Sequence, residues 1–272
     1  MSLSEHLDRL HSRCRREVSR RFARRLHHLR LSRPIISFTF DDFPLSAATV
    51  GGPILEQFGI SATYYVSLGL AGTMSPTGQI VRRHDLCDLI SAGHELGCHT
   101  FDHCHAWNSD ARTFAESLDR NQRELNLLLP EVCFETMSYP ISCPNLGVKR
   151  EAARRFVLCR GGGQSFNFHV ADRSYLKAFF LEKSRHRPEA VREIIARACA
   201  VNGWLIFVTH DICDRPTPYG CTSDFFEDVV KCAVNSGAGI LPVMEAWKSI
   251  CTDRLLTAAP LPLDQVASSN LS

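Results

Sequence analysis

No uninterrupted apolar run in the 272-residue chain reaches the roughly 18 residues that a membrane-spanning helix needs. The charged N-terminus has no apolar h-region behind it, so no standard export signal is expected and the sequence predicts a globular, cytoplasmic protein. CxxC pairs are missing from the histidine-rich stretch near residue 100, which counts against a closed zinc site there. Cysteine itself is plentiful, at twelve residues. Most sit singly inside apolar segments (Cys87, Cys159, Cys199, Cys232), where a reduced thiol packs as a small core residue. Free thiols are therefore expected rather than a disulfide framework.

Strong net charge is lacking too, but the formal +2 hides an asymmetry. Residues 1–33 hold ten arginines and three acids, a local +7, whereas the remainder, with 21 bases and 26 acids, is near −5. In this segment Leu3, Leu7, Leu10, Cys14, Val18, Phe22, Leu26 and Leu29 recur at three- and four-residue steps, the period of an amphipathic helix. Such a helix is expected to dock its stripe on the main domain or on a second subunit, leaving its arginines in water. Attachment to an anionic membrane surface is the alternative. Nucleic acid is disfavoured, because the remainder is acidic and shows no interleaving of aromatic and basic residues.

From Pro34 onward, short β-branched or aromatic runs alternate with helical patterns. Strands are expected at 35–40, 60–66, 94–98, 134–139, 156–159, 175–180, 204–209 and 239–243. Helices are expected near 46–58, 81–92, 109–129, 146–155, 188–202, 222–236 and 244–252. This alternation predicts a parallel α/β sheet, open or closed into a barrel. No linker interrupts 34–252, so the chain divides into a basic N-terminal helix (1–33), one domain (34–252) and a poorly ordered C-terminal tail (253–272).

Functional residues in such folds gather where the parallel strands end. ISFTFDDFP, residues 36–44, ends an apolar strand on Asp41 and Asp42, adjacent carboxylates that point differently and can divide cation binding from proton transfer. The plainer alternative is an N-cap for the helix that starts near Ser46. GCHTFDHCH, residues 97–105, places His99 and His103 four apart, where one helical turn would bring both imidazoles to the same side of a divalent metal. A mixed site using His94, His105, Cys98 and Cys104, or a solvated histidine cluster, remains open. WLIFVTHDI, residues 204–212, is an apolar strand that ends in His210 and Asp211, and imidazole is the side chain suited to proton delivery near neutrality.

Taken in this order, the three strand ends resemble the polysaccharide deacetylases, the NodB-homology or carbohydrate esterase family 4 proteins, over most of 34–252. The resemblance implies a distorted (β/α) barrel of about seven or eight mainly parallel strands. It implies that TFDD supplies Asp41 as catalytic base and Asp42 as metal ligand, that HTFDH completes the metal site with His99 and His103, and that VTH supplies His210 as general acid with Val208 beside the acetyl methyl. MSYPISCPN, residues 137–145, is similar to the family's Tyr-Pro-Tyr-Gly form, with Ile141 and Ser142 in place of Tyr-Gly. Tyr139 belongs to that motif, and the Ile141 N–H is expected to support the oxyanion. The family's motif arginine, which orients the catalytic aspartate, is missing here, and Arg160 is the candidate replacement.

The implied reaction is metal-dependent removal of acetyl groups from an N- or O-acetylated saccharide. The implied cofactor is one divalent ion, zinc first, with cobalt, nickel or manganese acceptable to the same donors. The substrate is expected to be an acetylated oligosaccharide or a nucleotide- or lipid-linked sugar. Trp107 is the best sugar-stacking candidate, ahead of Trp204 and Tyr219, and the loop 216–222 lies near the same rim. Membrane contact through residues 1–33 and a homo-oligomer are both compatible with the pattern. Two other classes stay open: a saccharide-binding homologue with impaired catalysis, and a membrane-surface protein acting through its N-terminal helix.

Overall fold

The computed structural model describes residues 3–141 and 143–258. Helix α1, Leu3–Arg21, leads into β1, Leu26–His28, and then β2, Ile35–Phe40. A π turn, Ala47–Gly51, runs into α2, Gly52–Glu56; β3, Thr63–Val66, precedes a small hairpin of β4, Met74–Ser75, and β5, Gly78–Gln79. Next come α3, Asp85–Ser91; β6, Glu95–Cys98; α4, Ala111–Asn126; β7, Thr136–Ser138; α5, Leu146–Arg155; and β8, Leu158–Arg160. The remainder is β9, Val170–Asp172; β10, Phe179–Phe180; α6, Pro188–Ala200; β11, Trp204–Thr209; α7, Ser223–Asn235; β12, Gly239–Ile240; and α8, Val243–Ala258. Helix α8 thus enters the segment expected as a tail; residues 259–272 lie outside the described residues.

The main sheet has the order β10-β11-β2-β3-β6-β7-β8, with β12 also on β2. Every pair in it is parallel, so the sheet curls into the α/β half-barrel that the alternating pattern predicts. Strand β2 is central and buried at all six positions, because helices cover one face and the barrel interior the other. Its odd and even residues separate accordingly. Ile36, Phe38 and Phe40 join the larger core beneath the helices, while Ile35 joins Trp204, Ile206, Val208 and Leu158 on the other side. The β2–β11 register pairs Ile35 with Trp204 and Phe40 with Thr209. Asp41 and His210 consequently leave neighbouring strands at the same level.

The expected strand at 175–180 is broken, and this segment nearly closes the barrel. Leu176 bridges to Arg160 at one sheet edge, while Phe179 and Phe180 pair with Phe207 and Val208 at the other. Two side-chain amides supply partners that a continuous strand would have provided. Asn167 accepts from the Lys177 N–H at 2.9 Å and donates to the Lys177 carbonyl at 2.9 Å; Gln164 accepts from the Phe180 N–H at 2.9 Å and donates to its carbonyl at 3.0 Å. This satisfies backbone groups that burial would otherwise leave without partners.

The N-terminal helix ends earlier than its apolar period predicts. Ala23 has a left-handed φ of 50°, which stops the helix, and β1 then pairs antiparallel with β9. Helix α5 caps α1, and the segment that follows α1 caps α5. Lys149 of α5, fully buried, donates to the Ser19 carbonyl at 2.6 Å and the Phe22 carbonyl at 3.0 Å while pairing with Asp172 at 2.7 Å. Arg25 donates to the carbonyls of Ala153 at 2.7 Å and Phe156 at 3.0 Å, at the end of α5. Cations at helix C-termini meet both carbonyl partners and the favourable end of the helix dipole.

Of the stripe expected to dock, the side chains of Leu3, Leu7 and Leu10 lie outside the described residues. Among the described side chains of α1 the buried one is Ser19, whereas Cys14 is exposed and Val18 is half-buried. Beyond the helix, Phe22 is 55% and Leu26 53% exposed, and of the stripe's described side chains Leu29 alone is buried.

Candidate active site

Three strand ends converge. Asp42 follows β2 in a left-handed conformation, φ 60°, and Phe43 repeats it at 61°. Such angles are uncommon outside glycine and cluster where surrounding structure holds them. They turn the Asp42 carboxylate toward the loop after β6. That loop is not the helical turn expected between the two histidines. Thr100 and His103 are themselves left-handed, at 62° and 52°, and Ser117 of α4 anchors the loop by accepting from the N–H groups of Phe101 at 3.0 Å and Asp102 at 3.1 Å. The rings of His99 and His103 come within 5.1 Å by this route.

The ligand atoms of Asp42, His99 and His103 lie within 4.8 Å of one another. His103 Nε2 is 2.9 Å and His99 Nε2 3.3 Å from Asp42 Oδ1, and this buried oxygen has no hydrogen-bond partner. Asp42 Oδ2, by contrast, accepts from Thr77 Oγ1 at 3.1 Å. The Ser138 carbonyl at 3.0 Å and hydroxyl at 2.5 Å both face His99 Nδ1, so the network assigns the proton to Nδ1 and leaves Nε2 as a lone pair. An unpartnered carboxylate oxygen facing imidazole nitrogens suits a divalent cation. Burial opposes ionisation of Asp42, but the two imidazoles that face it hold its carboxyl far below the usual range.

Asp41, 4% exposed, carries a separate network. Arg160 Nη2 donates to both of its carboxylate oxygens, and Ser138 Oγ donates to Oδ1 at 3.2 Å. Burial alone would raise the Asp41 carboxyl; the charges of Arg160, His99 and His210 outweigh it and lower the group below its ordinary value. Arg160, at the end of β8, is framed by the rings of Tyr65 and Phe180 at 5.3 and 5.9 Å. The glycine that follows it is required by packing, since a Cβ on Gly161 would lie 2.2 Å from the Tyr175 ring. Neither aspartate caps a helix.

His210 is half-buried, with Nδ1 3.1 Å from the Tyr219 carbonyl; that contact leaves Nε2 available. Asp211 does a different job. It accepts from the Thr217 N–H at 2.7 Å and Oγ1 at 2.6 Å and so folds the 211–221 loop beside the histidine. Ile141 holds a φ of 65° and exposes 65% of its surface on the loop after β7, an outlier for a β-branched residue. Val208 is buried on the barrel-interior face. Trp107 is half-buried, and the Arg15 guanidinium lies 5.3 Å over its ring.

Tyr139 is not on the site surface. It is buried, its hydroxyl donates to the Ser174 carbonyl at 3.0 Å, and its ring stacks on Tyr175 at 6.2 Å. As the first residue past the end of β7, it sends its side chain opposite to Ser138, which faces the site. The mixed Cys and His alternative does not assemble among the described residues. His94 Nδ1 accepts from the Ala62 N–H, His105 Nδ1 from those of Trp107 and Asn108, and burial pushes the Cys98 thiol up to about 12.

Sequence reasoning missed Ser138, Thr77 and Glu182. Ser138 lies inside the quoted MSYPISCPN, and its place as the last residue of a strand is the sequence signal for it. Glu182, just past β10, is raised by burial, partly offset by the charges of His210 and Lys183, and its Oε2 is buried without a partner.

The family model described as polysaccharide deacetylase matches residues 29–156, a span that includes Asp41, Asp42, His99, His103 and Ile141. No curated protein sequence matches the chain. Among solved structures, chitin deacetylase from Colletotrichum lindemuthianum is 15% identical, over 80% of this chain and 89% of its own, with a TM-score of 0.55. A family 4 acetyl xylan esterase from Clostridium thermocellum, solved with a cobalt ion, is 16% identical over 79% and 90%, with a TM-score of 0.51. A CE4 family pseudoenzyme from Bacillus anthracis is 10% identical over 79% and 66%, with a TM-score of 0.53. At these identities the structures speak for the fold alone, and it is the match over residues 29–156, just under half of the chain, that makes it similar to the polysaccharide deacetylase family.

Proposed function

We propose that this protein hydrolyses acetyl groups from an acetylated saccharide, N- or O-linked, with a divalent ion held by Asp42, His99 and His103. The observation that carries the reading is Asp42 Oδ1, buried without a hydrogen-bond partner and faced by two imidazole nitrogens. When bound, the ion supplies Lewis acidity, which polarises an acyl carbonyl and acidifies water. Zinc suits these donors best, and the cobalt in the acetyl xylan esterase structure is an acceptable substitute.

The chain's own groups supply the remaining chemistry. Asp41 stays ionised because Arg160 offsets its burial, and it takes the proton of the attacking water. Its proton-accepting power is modest at that lowered value, so it depends on water made acidic beside it. The Ile141 N–H, on a left-handed turn, donates to the oxyanion of the tetrahedral intermediate; one such donor is worth about 3 kcal/mol in acyl-transfer sites. His210, its Nδ1 anchored to the Tyr219 carbonyl, donates from Nε2 to the leaving group.

The test is acetate release from N-acetylglucosamine oligomers and acetylated xylo-oligosaccharides, wild type beside Asp41→Asn and His210→Ala. Release that both substitutions abolish supports the reading. Binding of these saccharides without release would instead mark a homologue with impaired catalysis.

A further inference from the structure

We propose that α1 and the segment that follows it dock the protein on an anionic lipid bilayer. The starting observation is which face of α1 is used. Ser19 is fully buried and its hydroxyl donates to the Pro144 carbonyl, Arg15 stacks over Trp107, and Lys149 holds the carbonyls at the helix end. The contacts described for α1 are therefore polar. Apolar side chains are left outside, with Cys14 exposed on α1 and with Phe22 and Leu26 more than half exposed just beyond the helix.

Arginine surrounds them. Arg13, Arg16, Arg20, Arg21, Arg24 and Arg30 are all exposed, although Arg20 and Arg21 share Glu17. Exposed apolar side chains with guanidinium groups beside them fit the boundary between headgroups and acyl chains. Charge selects this occupant over a second copy meeting it helix to helix, since two segments of +7 would repel. Trp107 lies on the loop that carries His99 and His103, and Pro144 on the loop that carries Ile141, so the helix sits at the site's own rim. A saccharide carried on a lipid would then meet the site at the membrane; that consequence alone rests on the proposed activity.

The experiment is co-sedimentation of the full chain with phosphatidylcholine vesicles, with and without phosphatidylserine, at low and high salt. Wild type is expected to pellet with the anionic vesicles and to be released by salt. Each arginine is worth roughly five-fold in partition, so Arg13→Gln/Arg16→Gln should weaken binding roughly 25-fold, and Phe22→Ser/Leu26→Ser should also release the protein. All four positions are exposed, so these variants fold. Asp42→Asn should pellet like wild type, which separates this proposal from the fate of the deacetylase reading. Pelleting that is absent, or unchanged in both double variants, overturns it. So does a dimer in sedimentation equilibrium that Phe22→Ser/Leu26→Ser dissociates, because a second copy would then cover these side chains.

Discussion

Arg160 and Asp41 lie 119 residues apart in sequence, on β8 and just past β2, and form a buried pair in which one guanidinium nitrogen reaches both carboxylate oxygens. Removing one partner of such a pair leaves a buried charge uncompensated, at a cost of about 3–5 kcal/mol. Arg160→Met should therefore lower the urea midpoint strongly. Adding Asp41→Asn to it should recover part of the loss, because the orphaned charge disappears. A double variant less stable than Arg160→Met would contradict the pairing.

Ion binding should stabilise the fold by an amount that grows with the logarithm of free ion above its Kd. At about 100 times its Kd, zinc or cobalt should add about 2.7 kcal/mol, read as a rise in Tm. His103→Ala and Asp42→Asn should abolish the rise, while Asp41→Asn should retain it. Equal loss in all three would mean that the two carboxylates do not divide their work.

His94 gives a pH dependence. It is buried, its Nδ1 accepts from the Ala62 N–H, and burial lowers it below 6.5, with Glu56 partly opposing. Below 6.5 the unfolded chain therefore binds a proton that the folded chain resists. Stability should fall as pH drops from about 6.5 toward the lowered folded value. The difference between wild type and His94→Gln in urea midpoint should change over that window and be flat above it. A difference independent of pH from 5 to 8 would count against a neutral, accepting His94.

Barrel closure predicts a cost for losing an amide. Asn167→Ala strips the backbone of Lys177 of both partners, and unsatisfied buried groups cost about 1–3 kcal/mol. Urea unfolding of Asn167→Ala should show it, and Asn167→Asp should recover the accepting half alone. No change in Asn167→Ala would show that the 164–180 segment is not held this way.

The parts of this site legible in sequence are those where an apolar strand ends abruptly in chemistry. Strands 35–40 and 204–209 have the expected bounds, because a fully buried strand permits no ambiguity about where polar residues may begin. What stayed hidden depends on partners far apart in sequence. No local pattern distinguishes Lys149 from other helix-face lysines, and its buried role appears once the end of α1 lies over it. Asn167 and Gln164 resemble ordinary loop residues until they pair with a strand that the sequence presented as continuous. The period of α1 identified an amphipathic helix, but the buried contact of Ser19 with Pro144 had no advance sign in the sequence. Tyr139 belongs to the motif in sequence, yet as the neighbour of Ser138 it turns its side chain away from the site into the core.

The account rests most directly on one ion at Asp42, His99 and His103 being required for acetyl removal. The decisive measurement is acetate release by chelator-stripped protein during titration with zinc or cobalt, on whichever acetylated oligosaccharide it turns over, wild type beside Asp42→Asn. The account predicts recovery that saturates near one ion per chain in the wild type and a flat response in Asp42→Asn. Full turnover by the stripped protein, or equal recovery in the variant, would contradict it.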